Sequence, residues 1–213
     1  MERKHGVVVR WETAGGRHGG PVAAHGLERA LAGLEPEWRR RCHAPPAPVG
    51  EEAAVAVCLG PAAAVRLGRR VQEAALPGEL RVAVVEGRID VGWALRRAER
   101  MDGPALRRSA RLLKRGRRST RRWRLALAPE RETAAVEALL ELLYARRASM
   151  TPFQLRCVEL ALEGRTRKEV AGLLGRAPQQ AAAALRSVRF EVLRCGEEAL
   201  AALLAGWEAP GEA

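Results

Sequence analysis

No stretch of this 213-residue chain approaches the run of about 20 apolar residues that a membrane-spanning helix requires, so no such span is expected. The first residues lack the basic, apolar and small-residue progression of a secretory signal, and a cytoplasmic protein is expected. The four cysteines (Cys42, Cys58, Cys157, Cys195) form no CxxC pair and show no metal-ligand spacing, and Cys157 and Cys195 read as small core residues. All four histidines (His5, His18, His25, His43) fall within the first 43 residues, and Cys42 beside His43 is too little to make a metal site. A glycine-rich stretch (Gly15, Gly16, Gly19, Gly20) lacks the GK[ST] ending and the GxGxxG context of phosphate-binding loops, and reads as a flexible turn. No metal, cofactor or catalytic constellation is expected.

Lysine is also scarce. Lys4, Lys114 and Lys168 are the only three among 37 basic residues, so arginine carries the positive charge. That charge is unevenly placed. Residues 94–124 hold thirteen basic side chains against Glu99 and Asp102, a net of +11 out of the chain's +12. Charge concentrated in this way marks a polyanion-binding surface or a solvated helix face.

The densest local signal lies at 151–192. Thr151 and Gln154 have capping-box spacing, with Pro152 at the first helical position, where its missing N–H costs nothing. Phe153, Cys157, Leu160 and Ala161 recur at helical spacing, widened by Val158 and Leu162. Gly164 suits a helix end, and Thr166 with Glu169 repeats the capping box at once. A short helix follows, with Val170, Leu173 and Leu174 as its expected core face. Gly175 turns the chain, and Pro178 opens a third helix expected to carry Ala181, Leu185, Val188 and Val192 inward.

This tri-helical unit resembles the helix-turn-helix of LuxR-type regulators and of sigma-factor region 4. The resemblance implies that the third helix reads double-stranded DNA. It places Gln179, Gln180, Ala182, Ala183 and Arg186 toward the groove, with Arg189 one turn further along the same face. Gln179 and Gln180 would pair with adenine edges, while Arg167 and Lys168 would contact phosphate. The chain departs from such domains at Ala177, where a Ser or Thr cap is usual, and at Arg176, where an apolar residue plugs the turn. Ala182 and Ala183 offer no hydrogen bond to a base.

Before residue 128 the periodicity alternates between strand and helix. Strands are expected at 6–9, 53–59, 80–85 and 123–127, with helices at 21–34, from Pro61, and at 104–114. The APPAP run at 44–48 reads as a loop or edge segment, because proline cannot sit in a central strand. The order suits an α+β protein with an N-terminal ferredoxin-like or nucleotide-cyclase-like sandwich.

LRVAVVEGRID (80–90), RAERMDGPALRRSARLL (97–113) and the C-terminal unit together resemble the SatD family. That resemblance implies a degenerate cyclase-like domain joined to a helix-turn-helix. The family's aspartate after the first strand is replaced here by Arg10 and Trp11, and its GDE-type motif reads Gly50, Glu51, Glu52. A cyclase-like metal site needs paired carboxylates converging from a strand end and a hairpin, and with Arg10 and Trp11 that pair is not expected.

The organisation expected is a sandwich at 1–128, a connecting helix at 129–148 and a helix-turn-helix domain at 149–213. The connecting helix would bury Val136, Leu139, Leu140 and Leu143. A last amphipathic helix at 196–207, with Leu200, Leu203, Leu204 and Trp207, has two candidate partners: the same chain or a second copy in a homodimer. The function expected is a non-enzymatic DNA-binding transcriptional regulator. The alternative is a protein–protein adaptor that oligomerises or binds a partner through the tri-helical domain.

Overall fold

A computed structural model of the chain describes residues 4–14, 21–34, 36, 38, 41–76, 79–117, 119–128 and 130–207. In chain order the elements are β1 (Lys4–Thr13), α1 (Pro21–Ala32), β2 (Cys42–Pro48), β3 (Ala53–Cys58), α2 (Pro61–Ala74) and β4 (Leu80–Ile89). Two short 3-10 turns (Trp93–Leu95 and Ala98–Arg100), α3 (Pro104–Gly116) and β5 (Trp123–Ala126) follow. The rest is helical: α4 (Glu130–Ala148), α5 (Pro152–Leu162), α6 (Arg167–Leu173), α7 (Pro178–Ser187) and α8 (Phe190–Ala205). The fold is therefore mixed α+β, with a five-stranded mixed sheet and eight helices among the described residues. It divides into two compact units, Met1–Glu141 with Leu203–Ala213, and Leu142–Ala202. No helix is long and apolar enough to cross a membrane among the described residues.

The sheet runs in the order β2-β3-β1-β4-β5, antiparallel except for the β4–β5 pair, which is parallel. Its centre is apolar on both faces, as a sheet covered on both sides requires. Val7, Val9 and Trp11 alternate with Val8 along β1, and all four are fully or almost fully buried. Trp11 lies under α2 and donates its indole N–H to the Gly68 carbonyl at 3.1 Å. On the opposite face Val8, Val55, Val57 and Val85 pack with Ala98, Met101, Ala105 and Leu106, so the 3-10 segment and α3 form the second cover. Gly103 makes this closure fit. A Cβ there would sit 2.7 Å from the Arg88 carbonyl oxygen, which explains glycine in the MDGPA turn.

β1 is longer than its apolar core suggests, running through Arg10 and Trp11 to Thr13. The APPAP segment forms β2, an edge strand whose register slips near Ala44 and Ala47, where proline lacks the N–H of a regular ladder. On α3 the fully buried inward residue is Ser109, whose hydroxyl donates to the Leu106 carbonyl at 2.8 Å, whereas Ala110 is only half-buried. The glycine-rich turn at 15–20 lies outside the described residues.

β5 is the other edge, and it is fixed from three directions. Its Trp123 indole N–H donates to Gln72 Oε1 at 2.8 Å, and Gln72 Nε2 donates to the Leu80 carbonyl at 3.0 Å. Its outward backbone N–H groups, at Trp123 and Leu125, donate to Glu141 and Glu137 of α4 at 2.6 and 2.8 Å. These two carboxylates cover the open edge that would otherwise invite another strand.

In the second unit three expected core positions are corrected. Leu173 is 63% exposed, because a seven-residue helix has room for little more than Val170 and Ala171 on its inner face. Val192 is 69% exposed and Cys195 is exposed, because a new helix starts at Phe190 and resets the rotation. The connecting helix does bury Val136, Leu140 and Leu143, with Leu139 half-buried.

Two measurements test this arrangement. Gln72→Leu leaves the Trp123 indole N–H and the Leu80 carbonyl without their partner. Urea denaturation should show a loss of about 2–4 kcal/mol, and a loss under about 1 kcal/mol would contradict the role given to Gln72. Burial holds the Glu141 carboxyl above the ordinary carboxylate range despite its bond from Trp123. The folded state thus binds that proton more tightly than the unfolded chain, and the stability linked to it is lost as pH rises through the elevated value. Glu141→Gln keeps an acceptor, so its melting temperature should match the wild type in acid and exceed it at neutral pH. An offset that does not change with pH would contradict this account.

Candidate nucleic-acid interface

Residues 142–202 build their geometry almost entirely from helix ends. Thr151 accepts from the Gln154 backbone N–H at 3.3 Å while Gln154 Oε1 accepts from the Thr151 N–H at 2.9 Å. Thr166 and Glu169 repeat the exchange at 3.3 and 2.8 Å. At the far end of α5, Gly164 (φ 84°) donates to Ala161 and Arg165 donates to the Leu160 carbonyl, each at 3.1 Å. At the end of α6, Gly175 (φ 59°) donates to Gly172 and Arg176 donates to Ala171, at 3.2 and 2.9 Å. Both are Schellman stops, in which a left-handed residue lets two N–H groups satisfy the last carbonyls. α7 packs on both α5 and α6.

The third stop has no glycine. α7 ends at Ser187, and Arg189 itself takes the left-handed conformation at φ 50°. That conformation costs a non-glycine residue about 1–2 kcal/mol. Arg146 of α4 supports the turn by donating to the Ser187 and Val188 carbonyls at 3.2 and 3.3 Å. Arg189 is therefore in the α7–α8 turn, not one helical turn further along the α7 face as expected.

On α7, Ala181, Ala184 and Leu185 face inward, and Val188, just past its end, is buried with them. Gln179, Ala183 and Arg186 share the outward stripe by helical periodicity, and all three are exposed. Two open depressions flank it. One, of about 430 Å³, is lined by Arg165, Arg167, Arg186 and Arg189 together with Ala161, Thr166, Leu185, Phe190, Glu191 and Val192. Its sole carboxylate, Glu191, is paired with Arg194 at 2.9 Å. Among the described residues no carboxylate pairs with any of the four arginines, so the groove is electropositive. The other, of about 580 Å³, includes Gln154, Arg176, Gln180, Ala183 and Ser187.

The expected site residues are thus distributed unevenly. Arg167, Arg186 and Arg189 converge on one groove, and Lys168 is exposed beside Arg167 on α6. Gln179 stands free on the outward stripe. Gln180 is turned to a structural task, since its Oε1 accepts from the Ala177 N–H at 3.3 Å, the half of a capping box that alanine cannot return. Arg165 was not among the expected residues. The signal that could have found it is a basic residue directly after a helix-stopping glycine, carried by the Schellman turn to the rim of the groove.

The first unit contains one correction to the expected carboxylates. Because β1 continues past Trp11, Glu12 lies on its last turn-ward residues, and Thr13 donates its N–H to the Glu52 carbonyl at 2.9 Å. A strand-end carboxylate does therefore adjoin the hairpin that bears Glu51 and Glu52. Its charge is already matched by Arg117, whose Nε donates to Glu12 at 3.0 Å, while the buried Arg81 donates to the neighbouring Thr13 carbonyl at 3.3 Å. The carboxylate in turn holds the Arg117 guanidinium above its ordinary value. His43 stacks on Trp93 at 3.7 Å between ring centroids, and no group of three or more His, Cys, Asp or Glu could hold a metal among the described residues.

Comparison of the chain with protein-family models, curated proteins and solved structures finds no match in any of the three.

The caps are open to direct measurement. Thr166→Val removes the acceptor for the Glu169 N–H and should lower stability by about 0.5–2 kcal/mol in urea denaturation. An unchanged midpoint would mean that α6 is held without its cap.

Proposed function

We propose that the chain is a DNA-binding regulator whose 142–202 unit docks as a helix-turn-helix with α7 toward the major groove. The observation that carries this reading is a groove of four arginines, none in an ion pair with a carboxylate among the described residues, beside an α7 whose outward stripe is exposed. Arg165, Arg167, Arg186 and Arg189 supply phosphate contacts, with Lys168 alongside, and such contacts fix register and orientation. Gln179 carries the base reading, because Gln180 is occupied at the cap and Ala182 and Ala183 have nothing to donate or accept. Affinity then comes mainly from phosphate, and specificity from one glutamine and from DNA shape.

The first unit supports the finer fold reading. Its β1-α1-β2-β3-α2-β4 order, with β3 antiparallel between β1 and β2, is that of a ferredoxin-like split β-α-β sheet, extended here by α3 and β5. A SatD-like pairing of a non-catalytic cyclase-like domain with a helix-turn-helix is the arrangement proposed. Arg117 on Glu12 supports the non-catalytic role, since a guanidinium stands where a divalent cation would need free carboxylate oxygens. The adaptor and homodimer readings draw less from the structure, because Leu200 and Leu204 of α8 are already buried within the single chain.

Electrophoretic mobility shift of the full chain over a salt series tests the proposal. Arg186→Ala with Arg189→Ala should weaken binding to all duplexes alike and flatten the log–log salt slope by roughly 2. Gln179→Ala should relax sequence preference by about 1–3 kcal/mol at one base pair, and Gln180→Ala should do so less. Absence of any shift at low salt would overturn the DNA-binding reading.

A further inference from the structure

The thirteen basic residues of 94–124 are not equivalent once the chain is folded. Seven are engaged: Arg97, Arg107, Arg117, Arg121, Arg122 and Arg124 in ion pairs with carboxylates, and Arg96 in a hydrogen bond to the His43 carbonyl. Arg118 lies outside the described residues. Among the described residues no carboxylate pairs with Arg100, Arg108, Arg111, Lys114 or Arg115, and all five are exposed.

Four of these five share one helix. At 100° per residue, Arg108, Arg111, Lys114 and Arg115 fall within about 120° of the α3 circumference, opposite the buried Ala105, Ser109 and Leu113. They are spaced three, three and one residue apart, so each has a like charge one helical turn away, an arrangement that costs an isolated helix a few tenths of a kcal/mol per pair. Helix propensity does not require it, and the apolar face of α3 is already used against the sheet. We infer that this stripe is a second nucleic-acid site, independent of the 142–202 unit, which binds the phosphate backbone of a duplex without reading sequence.

The chemistry selects that ligand. The stripe is about 10 Å long at 1.5 Å per residue, the length of about three phosphates along one strand. Three guanidinium forks and one ammonium suit phosphate oxygens. No aromatic side chain lies on the stripe to stack an unpaired base, which favours a duplex over a single strand. An anionic membrane is the poorer fit, because an interfacial helix needs a free apolar face and that of α3 is buried.

The three lysines make the test possible in the unaltered protein. Lys114 is on the stripe, Lys168 on α6 and Lys4 at the start of β1. The full chain is acetylated with and without a duplex of mixed sequence, and each site is followed by mass spectrometry. Duplex is expected to slow acetylation of Lys114 several-fold and to leave Lys4 unchanged. Unchanged Lys114 reactivity at a duplex concentration that saturates binding would overturn the inference. Protection of Lys168 alone would overturn this inference and leave the helix-turn-helix proposal standing, while protection of Lys114 alone would do the reverse. A variant with Arg108→Gln, Arg111→Gln, Lys114→Gln and Arg115→Gln should lower the salt slope for that duplex by roughly 3–4. An unchanged slope, or a loss of binding to phosphatidylserine vesicles with duplex affinity intact, would also overturn it.

Discussion

The position of Trp123 governs the first unit. Its indole is tied to Gln72 on α2, its backbone N–H to Glu141 on α4, and its strand lies parallel to β4. A parallel neighbour cannot be reached by a tight turn. The chain must cross over the sheet between β4 and β5, and α3 is that crossover. Once Trp123 is fixed, α3 is confined to one face, its apolar side is committed to Val8, Val85 and their neighbours, and its basic side is left to solvent. The charged surface is thus a consequence of how the sheet edge is closed.

The same closure sorts the arginines. Those near sheet ends and edges find carboxylates: Arg117 reaches Glu12, Arg122 reaches Glu79, and Arg121 and Arg124 share Glu137. Such exposed or half-buried pairs are individually weak, but they remove positive charge from the regions that must pack. Among the described basic residues of 94–124, four of the five that pair with no carboxylate are gathered on α3. In the second unit the unpaired arginines gather beside α7. Each unit separates matched charge from unmatched charge, and the unmatched sets are what a polyanion would meet.

Much of this was legible in the sequence where backbone chemistry leaves a residue-type signature. Both capping boxes, both glycine stops, the proline helix starts and the edge placement of APPAP followed from side chains that can do only a few things. The illegible parts share a physical cause: the deciding feature has no signature of its own. Arg189 adopts a glycine conformation without being glycine, so the end of α7 and the reset that exposes Val192 and Cys195 went unseen. The extension of β1 to Glu12 depends on pairing with β4, a long-range contact that a polar tail does not announce. The diversion of Gln180 follows from what alanine cannot do at position 177. Which arginines are paired is a tertiary fact that a charge count cannot supply.

The central claim is that the 142–202 unit meets DNA through α7 and its arginine groove. Titrating the isotopically labelled 23.2 kDa chain with a short duplex and mapping amide shifts by NMR tests it most directly. The account predicts shifts concentrated at Arg165, Arg167 and Lys168, at Gln179, and at Arg186 and Arg189, fading as salt rises. Shifts that spare these residues while duplex is bound would contradict it.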